Sequence, residues 1–288
     1  MTGQSFELTE AKNGRTTSVI FASPHSGRDY PKSLLAASCL DEFSIRTSED
    51  AFVEQLFDAA PLYGSVLLKA KAPRAYVDLN RGADELDPAV IDGLRRSGQT
   101  ARVTSGLGVI PRVVANGRPI YRGKIAWSEA ERRLAEVWHP YHTALTVLTR
   151  ENVLRFGESI LIDCHSMPHE AIEAFARSGV SRPEIVLGDR FGSSASAPVV
   201  ALVEAAFQRQ DFRVARNTPF SGAYIVQQYG RPSRHQHAIQ VEIDRALYMN
   251  ELTIRPNAAF ESVRKRLAAA IEEITAIGRI GAVPLAAE

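Results

Sequence analysis

The sequence has 288 residues, with 34 lysines and arginines against 33 aspartates and glutamates, so its net charge is +1. A hydrophobic content of 45% with 23% charged residues is typical of a globular protein and excludes a disordered one. A near-zero net charge argues against general nucleic-acid binding, which requires clustered cations to neutralise phosphates. No run approaches the ~18 apolar residues of a membrane span, and the polar N-terminus lacks the apolar core of a signal peptide. We therefore expect a cytoplasmic protein with no nucleic-acid or membrane partner.

Short apolar runs alternate with amphipathic helical patterns along the chain. The predicted strands are Thr17–Ala22, Ser65–Leu68, Ala75–Val77, Ser159–Asp163, Glu184–Leu187 and Ala238–Ile243. The predicted helices are approximately Ser48–Ala60, Ser128–Phe156, Ala197–Arg209 and Pro256–Ile277. This alternation predicts an α/β fold with a mixed, mostly parallel sheet and helices on both faces. We expect one domain over residues 1–288, with a long ordered loop at about 81–123.

Three predicted strands end in polar residues. His25 follows the first strand, His165 follows a central strand, and Glu242 lies in a late strand. Because binding sites in parallel α/β sheets gather at the carboxyl ends of the strands, we expect these side chains to meet. Two imidazoles and one carboxylate, with an open position for water, are the ligand set of a catalytic zinc. Histidines that only cap strands by hydrogen bonds are the alternative interpretation.

The carboxylate ligand would come from the segment Ser48–Leu56. Asp50 and Glu54 are four residues apart on a predicted helix, so either side chain can point at the sheet edge. The alternative is that both are solvated acids of a first helical turn.

A second polar cluster, Asn80–Arg81, follows the predicted strand Ala75–Val77. A guanidinium binds a carboxylate through two hydrogen bonds and an amide adds a directed donor, so this pair suits a substrate carboxylate. The alternative is that Arg81 forms an ion pair with Asp78 or Asp84.

Other residues that can carry chemistry are expected to be structural. His139 and His142 lie in a helical pattern next to aromatic residues, which favours packing or hydrogen bonding. Cys164 precedes His165, but neighbours in a strand point to opposite faces, which argues against a nucleophilic pair. Cys39 and Cys164 are too few for a disulfide framework.

Five motifs together resemble the N-formylglutamate amidohydrolase family, and they occur in the family's order from about residue 19 to 250. The motifs are Ser23–Gly27, Asp78–Arg81, Asp163–Pro168, Asn217–Tyr224 with Tyr229–Pro232, and Gln240–Met249. The family is distantly similar to zinc carboxypeptidases and succinylglutamate desuccinylases. The resemblance implies a phosphorylase/hydrolase-like, zinc-carboxypeptidase-like fold. It also implies zinc-dependent hydrolysis of N-formyl-L-glutamate to formate and L-glutamate, late in histidine breakdown.

The same resemblance assigns roles to individual residues. His25 and His165 match the two histidine ligands of one Zn²⁺ per chain, although another divalent metal would also fit. We choose Asp50 as the carboxylate ligand, with Glu49 beside it and Glu54 as alternatives. Glu242 and Arg81 are the expected catalytic residues: Glu242 matches the glutamate that activates water, and Arg81, next to Asn80, matches the arginine that holds the substrate α-carboxylate.

The implied substrate is a small acidic N-acyl amino acid with two carboxylates, so at least two cationic contacts are expected. Arg81 and Arg245 are the expected pair, with Arg112 and Arg122 as alternates. Two other functions remain open: a metal-dependent amidohydrolase acting on another N-acyl amino acid or small peptide, and a non-catalytic binding protein of the same fold. Metal analysis together with formate release from N-formylglutamate would distinguish these alternatives.

Overall fold

The computed structural model describes residues 5–94, 100–173 and 181–279. The strands are β1 (Phe6–Thr9), β2 (Val19–Ser23), β3 (Val66–Ala70), β4 (Ser159–Met167), β5 (Ile185–Gly188), β6 (Val214–Arg216), β7 (Gln236–Asp244), β8 (Met249–Asn250) and β9 (Arg255–Pro256). The helices are α1 (Lys32–Ala37), α2 (Val53–Leu56), α3 (Ala101–Thr104), α4 (Trp127–Arg133), α5 (His139–Phe156), α6 (Ala197–Gln208), α7 (Tyr224–Tyr229) and α8 (Phe260–Ile277). A π-helical turn, Leu134–Trp138, joins α4 to α5.

Within the described residues, seven strands form one sheet in the order β1-β3-β2-β4-β7-β5-β6. Strand β4 pairs in parallel with β2 and with β7, and β5 pairs in parallel with β6. Strand β5 runs antiparallel to β7, and β8 and β9 form a separate antiparallel pair. The predicted α/β class with a mixed, mostly parallel sheet is confirmed. None of the helices in the described ranges has the length and apolar character needed to cross a membrane.

The chain forms two compact units, each built from several segments. The first contains residues 5–7, 23–51, 69–94 and 100–145, and the second contains residues 8–22, 52–68, 146–173 and 181–279. The organisation as one domain over 1–288 and the loop boundaries at 81–123 stay predictions. Residues 95–99 of that loop lie outside the described residues.

In the second unit, β4 is buried along its whole length and is therefore covered on both faces. Such strands have nearly continuous apolar sequences, and Ile160, Leu161 and Ile162 follow this pattern. Helix α8 adds an apolar stripe, with Val263, Leu267, Ala270, Ile271 and Ile274 buried at spacings of three and four residues. The polar residues of β4 depart from this apolar pattern, so they need an explanation other than packing.

In the first unit, the chain between β3 and α4 is largely irregular but well buried. Val77, Leu79, Val109, Ile110 and Ile120 are all buried. Irregular backbone inside a protein must find hydrogen-bond partners for its amides and carbonyls, and side chains of α4 and α5 supply several of them.

The predicted strand Ala75–Val77 is wrong. These residues form a turn in which the backbone amides of Tyr76 and Val77 donate to Pro73 O at 2.9 and 3.3 Å. Proline has a fixed φ that favours turns, and this local preference outweighs the short apolar run that follows it.

The predicted helix Ser48–Ala60 is also wrong. A 3₁₀ turn covers Ser44–Ser48, and the short helix α2 starts only at Val53. The break lies at Phe52, whose φ is 68°. Asp50 therefore does not share a helix face with Glu54, and its amide donates instead to His25 O at 3.1 Å.

Arg133 of α4 is a buried anchor of the first unit. Its guanidinium donates to Glu129 Oε1 at 2.8 Å, to Tyr76 O at 3.3 Å and to Tyr121 Oη at 2.7 Å. It also lies 4.2 Å from the centre of the Tyr76 ring. A buried cation with this many partners fixes the position of the turn that contains Tyr76.

We expect Arg133→Met to lower the free energy of unfolding by about 3 kcal/mol, because its loss leaves partly buried partners without a donor. The matched control is Arg132→Met on the same helix, since Arg132 is 40% exposed and its ion pairs are solvated. That variant should lose less than ~1 kcal/mol. Urea titration followed by far-UV circular dichroism measures both, and equal losses would contradict the assignment.

Candidate metal centre

His25 is placed by a tight turn at the end of β2. Ser23 Oγ donates to Ser26 Oγ at 2.7 Å, and this bond closes the turn around His25. Gly27 passes so close to Ala72 that a Cβ atom would lie 2.2 Å from the Ala72 carbonyl oxygen. Only glycine fits there, which explains the glycine of this motif.

The two ring nitrogens of His25 face two different carboxylates. Nε2 lies 2.7 Å from Asp78 Oδ1, and Nδ1 lies 3.4 Å from Asp50 Oδ2. A carboxylate that accepts from one imidazole nitrogen fixes the tautomer and leaves the other nitrogen as a metal ligand. His25 Nδ1 and Asp50 Oδ2 are therefore the atoms of these two residues that could bind a metal ion.

Asp78 is fully buried and has three donors. Besides His25, its carboxylate accepts from the Asn80 amide at 2.9 Å and from Arg74 Nε at 3.0 Å. Burial alone would raise the pKa of Asp78, but the charges of Arg74 and then His25 lower this pKa well below its usual range. Asp78 is thus ionised and can hold His25 in one orientation.

Of the three acids considered as ligands, Asp50 is the one that faces His25. Glu49 accepts from Arg46 Nε at 3.0 Å and from Tyr30 Oη at 2.6 Å. Burial, followed by the Glu49 charge, raises the pKa of Tyr30, so the phenol stays a donor. Glu54 accepts from Gln55 Nε2 at 3.2 Å.

In the second unit, β4 and β7 place polar side chains on one face of the sheet. Asp163 and His165 are two residues apart on β4, and their register partners on β7 are Gln240 and Glu242. His165 Nε2 lies 3.0 Å from Asp163 Oδ1. Gln240 Nε2 donates to Glu242 Oε1 at 2.7 Å, and Gln240 Oε1 accepts from the Ala223 amide at 2.9 Å.

His25, Asp50 and His165 form a buried group in which one ligand atom from each residue lies within 4.8 Å of the others. Across the three described ranges, this is the one group of three such residues found. Ligands at 2.0–2.1 Å from a tetrahedral zinc are about 3.3 Å apart, close to the 3.4 Å between His25 Nδ1 and Asp50 Oδ2. His25 Nε2 also bonds a carboxylate, as the ligands of many zinc sites do, and Asp163 Oδ1 lies 3.0 Å from His165 Nε2. The donor set therefore fits a metal ion.

Arg81 and Asn80 are both buried in the first unit. Arg81 Nε donates to Leu107 O at 2.9 Å, and its Nη1 donates to Asn80 O at 2.7 Å. Burial lowers the pKa of Arg81, and the charges of Arg74 and Arg102 act in the same direction while Asp78 opposes them. An arginine among other cations is a favourable position for an anion.

The structure gives the other predicted arginines different surroundings. Arg112 Nε donates to Asp87 Oδ2 at 3.0 Å, and the side chain of Arg122 is exposed. Arg245 Nε donates to Ser166 Oγ at 3.1 Å. Since Ser166 is adjacent to His165 on β4, their side chains leave opposite faces of the strand. Substrate contact by these three arginines stays a prediction.

His142, His169, His237 and Cys164 have structural surroundings. His142 Nε2 bonds Leu79 O at 2.9 Å, and His169 Nδ1 bonds Asp244 Oδ2 at 2.9 Å. His237 Nδ1 accepts from the Ser196 amide at 3.2 Å. Burial, together with the Asp163 charge, raises the pKa of the Cys164 thiol well above its usual range, so this thiol is a poor nucleophile.

Sequence reasoning named Asp78 only as a possible partner of Arg81, and it missed the contacts of Asp78 with His25, Asp163 with His165 and Gln240 with Glu242. For Asp163 and Gln240 a signal existed, since each lies two residues before a predicted site residue on the same strand and therefore shares its face. No comparable signal links Asp78 to His25, because 53 residues separate them.

Two histidines and an aspartate with the donor set of a metal site, beside a glutamate on an α/β sheet, are typical of hydrolases that cleave amide bonds. Residues 17–249 match the model of the N-formylglutamate amidohydrolase family, and the chain belongs to this family. The predicted family and the predicted class, a hydrolase of a linear amide bond, are confirmed.

Similar proteins cover almost the whole chain. N-formylglutamate deformylase of Pseudomonas aeruginosa is 30% identical over 279 residues, which are 95% of this chain and 98% of the relative. The Pseudomonas putida N-formylglutamate deformylase is 28% identical over 237 residues, 81% of this chain and 82% of the relative. A crystal structure of N-formylglutamate amidohydrolase from Ralstonia eutropha JMP134 superimposes with a TM-score of 0.86 at 32% identity, covering 95% of this chain and 98% of that one.

We expect the native protein to take up about one iodoacetamide label per chain, at the exposed Cys39, because alkylation requires an accessible thiolate. Cys39→Ser should take up no label until the protein is unfolded, and then about one at Cys164. Mass spectrometry of tryptic peptides measures both. Native labelling of Cys164 with loss of activity would make it a candidate nucleophile.

Proposed function

We propose that the protein hydrolyses N-formyl-L-glutamate to formate and L-glutamate with one divalent metal ion, zinc in the first instance. The observation that carries the proposal is the buried group of His25, Asp50 and His165, which has the donor set of a catalytic zinc site. The relatives named as N-formylglutamate deformylases support the substrate.

His25, Asp50 and His165 would hold the ion. A bound zinc supplies Lewis acidity, which polarises a carbonyl oxygen and lowers the pKa of water to about 7. Asp78 keeps the His25 imidazole oriented through Nε2, so its Nδ1 stays directed at the ion.

Glu242 would be the general base that takes the proton from water and returns it to the departing amine. Its carboxylate lies beside His165 in the register of β4 and β7 and is almost fully buried. The hydrogen bond from Gln240 holds the carboxylate in one orientation. A base that is positioned in this way contributes typically 10²–10⁴-fold to the rate.

Arg81, with Asn80, would bind the α-carboxylate of the substrate. Two of its donor atoms, Nε and Nη1, are held by backbone carbonyls, and among the described residues no hydrogen bond is made by Nη2. The guanidinium is therefore fixed in orientation and keeps a donor edge for a ligand. Arg74 and Arg102 contribute positive potential at this point, and Asp78 and Glu85 oppose it.

The location in the cytoplasm stays a prediction from the sequence pattern, and the place late in histidine breakdown stays a prediction of the family resemblance. The experiment that tests the proposed reaction is formate release from N-formylglutamate, with and without a chelator, beside a panel of N-acetyl- and N-succinylglutamate and N-formylglutamine. We expect N-formylglutamate to be the preferred substrate and the chelator to stop turnover. If the enzyme prefers a longer acyl group, the proposed substrate is wrong. If the metal-bound protein cleaves no member of the panel, the proposed reaction is wrong.

We expect the purified protein to bind about one zinc per chain, and His165→Ala to lose both the metal and turnover, because one of three protein ligands is removed. Asp78→Asn should keep the ligands but weaken zinc binding by about 10–100-fold. Competition with a chromogenic chelator measures the affinity. The matched control is His169→Ala, whose half-exposed ring bonds Asp244, and this variant should retain its zinc.

If Glu242 is a base and not a ligand, Glu242→Gln should keep its zinc and its fold and lose about 10²–10⁴ in kcat, with little change in KM. The exposed Glu170 provides the control, since Glu170→Gln should change neither parameter. Metal analysis and steady-state kinetics decide between the roles. Loss of zinc in Glu242→Gln would place Glu242 among the ligands.

A further inference from the structure

The segment Leu79–Arg81 belongs to neither a helix nor a strand, although its three residues are almost fully buried. Its three carbonyls nevertheless each accept a hydrogen bond. Leu79 O bonds His142 Nε2 at 2.9 Å, and Arg81 O accepts from Trp138 Nε1 at 2.8 Å. Between them, Asn80 O accepts from the guanidinium of Arg81 itself at 2.7 Å.

Trp138 and His142 are four residues apart, so both side chains leave the same side of one continuous helix. Their rings stack with centroids 4.1 Å apart. Trp138 is the last residue of the π-helical turn, and such turns occur frequently at functional sites. The two rings therefore support each other, and each carries one nitrogen that bonds the segment Leu79–Arg81.

The protonation state of His142 allows its Nε2 to donate to Leu79 O. Burial lowers the pKa of His142 to about 4, so the ring is neutral near pH 7. A carbonyl oxygen only accepts, so the proton must lie on Nε2. The neighbouring His139 is exposed and makes no such bond among the described residues.

We propose that Trp138 and His142 are positioning residues that hold the backbone of Leu79 and Arg81, and thereby set the Arg81 guanidinium for the substrate carboxylate. The inference rests on the proposed function, in which Arg81 binds the α-carboxylate. Both ends of the segment are fixed by side chains of the helix, and the guanidinium is fixed by Asn80 O and Leu107 O. A displacement of the backbone by a fraction of an ångström would misdirect the donor edge of Arg81.

The first variant is Trp138→Phe, which keeps an aromatic ring in the stack and removes the N–H donor together with the five-membered ring that carries it. We expect KM for N-formylglutamate to rise about tenfold, because a buried carbonyl loses its partner. The value of kcat should stay within about twofold, since Glu242 is untouched. Trp127→Phe, at a 40% exposed tryptophan of the same helix, is the control and should change neither parameter.

The second pair of variants is His142→Leu, without a donor, and His142→Gln, whose amide can still donate to Leu79 O. We expect the leucine variant to raise KM as Trp138→Phe does and the glutamine variant to restore most of the loss. Zinc content should be unchanged in all variants. Equal KM values for the leucine and glutamine variants would overturn the role of His142.

A double-mutant cycle separates positioning from general destabilisation. If Trp138 acts through Arg81, Trp138→Phe should raise KM hardly further in an Arg81→Ala background. A merely structural tryptophan would add its full effect in both backgrounds and would lower the melting temperature. An additive result therefore overturns the proposal.

Deuterium uptake over residues 76–82, without substrate, distinguishes failure of this inference from failure of the proposed function. Inactivity of the wild-type protein on N-formylglutamate would contradict the function, whereas faster uptake in Trp138→Phe and His142→Leu but not in Trp127→Phe would still support the anchoring. Uptake that is the same in all variants would overturn the anchoring, whatever the substrate.

Discussion

The arrangement of the first compact unit depends on one buried carboxylate. Asp78 accepts from His25, from Arg74 and from the amide of Asn80, so a single side chain fixes the candidate ligand and the start of the Asn80–Arg81 segment together. A buried carboxylate is tolerated only when its lone pairs are satisfied and its charge is balanced. The three donors together supply this balance, so Asp78 joins His25, Arg74 and the Asn80 amide in one buried network.

In the second unit, strand pairing determines which polar side chains lie next to one another. Because β4 and β7 are paired in parallel, the two-residue period places Asp163 and His165 on one face with Gln240 and Glu242, and Cys164 and Val241 on the other. A slip of one residue would exchange these faces and bury the polar row against apolar side chains. The apolar residues of the strands thus specify the register, and the register specifies which polar side chains meet.

The long central strands and the residues at their ends could be predicted from the sequence. An apolar run indicates a buried strand, and a His, Asp or Glu where the run stops indicates a site at the end of that strand. The sequence did not predict β1, β6, α1 or α7, which are three to six residues long and too short to show a period. The helix Ser48–Ala60 failed because a left-handed Phe52 interrupts an otherwise suitable pattern. Partners distant in sequence, such as His25 and Asp78, have no local signal, so the residues that contact the candidate ligands are seen only in the structure.

His142 shows why periodicity is a poor guide to such roles. A histidine one helical turn after a tryptophan, on the buried side of a helix, predicts packing, and the two rings do stack. Periodicity describes only the apolar part of each ring, whereas the polar atoms of the same rings donate to the backbone of a segment some 60 residues earlier in the chain. Because these donors bind carbonyls, they place the main chain of the segment, while the Arg81 guanidinium is held separately by Asn80 O and Leu107 O. Side chains of a helix thus satisfy the carbonyls of an irregular segment, in place of the backbone partners that a helix or a strand would supply.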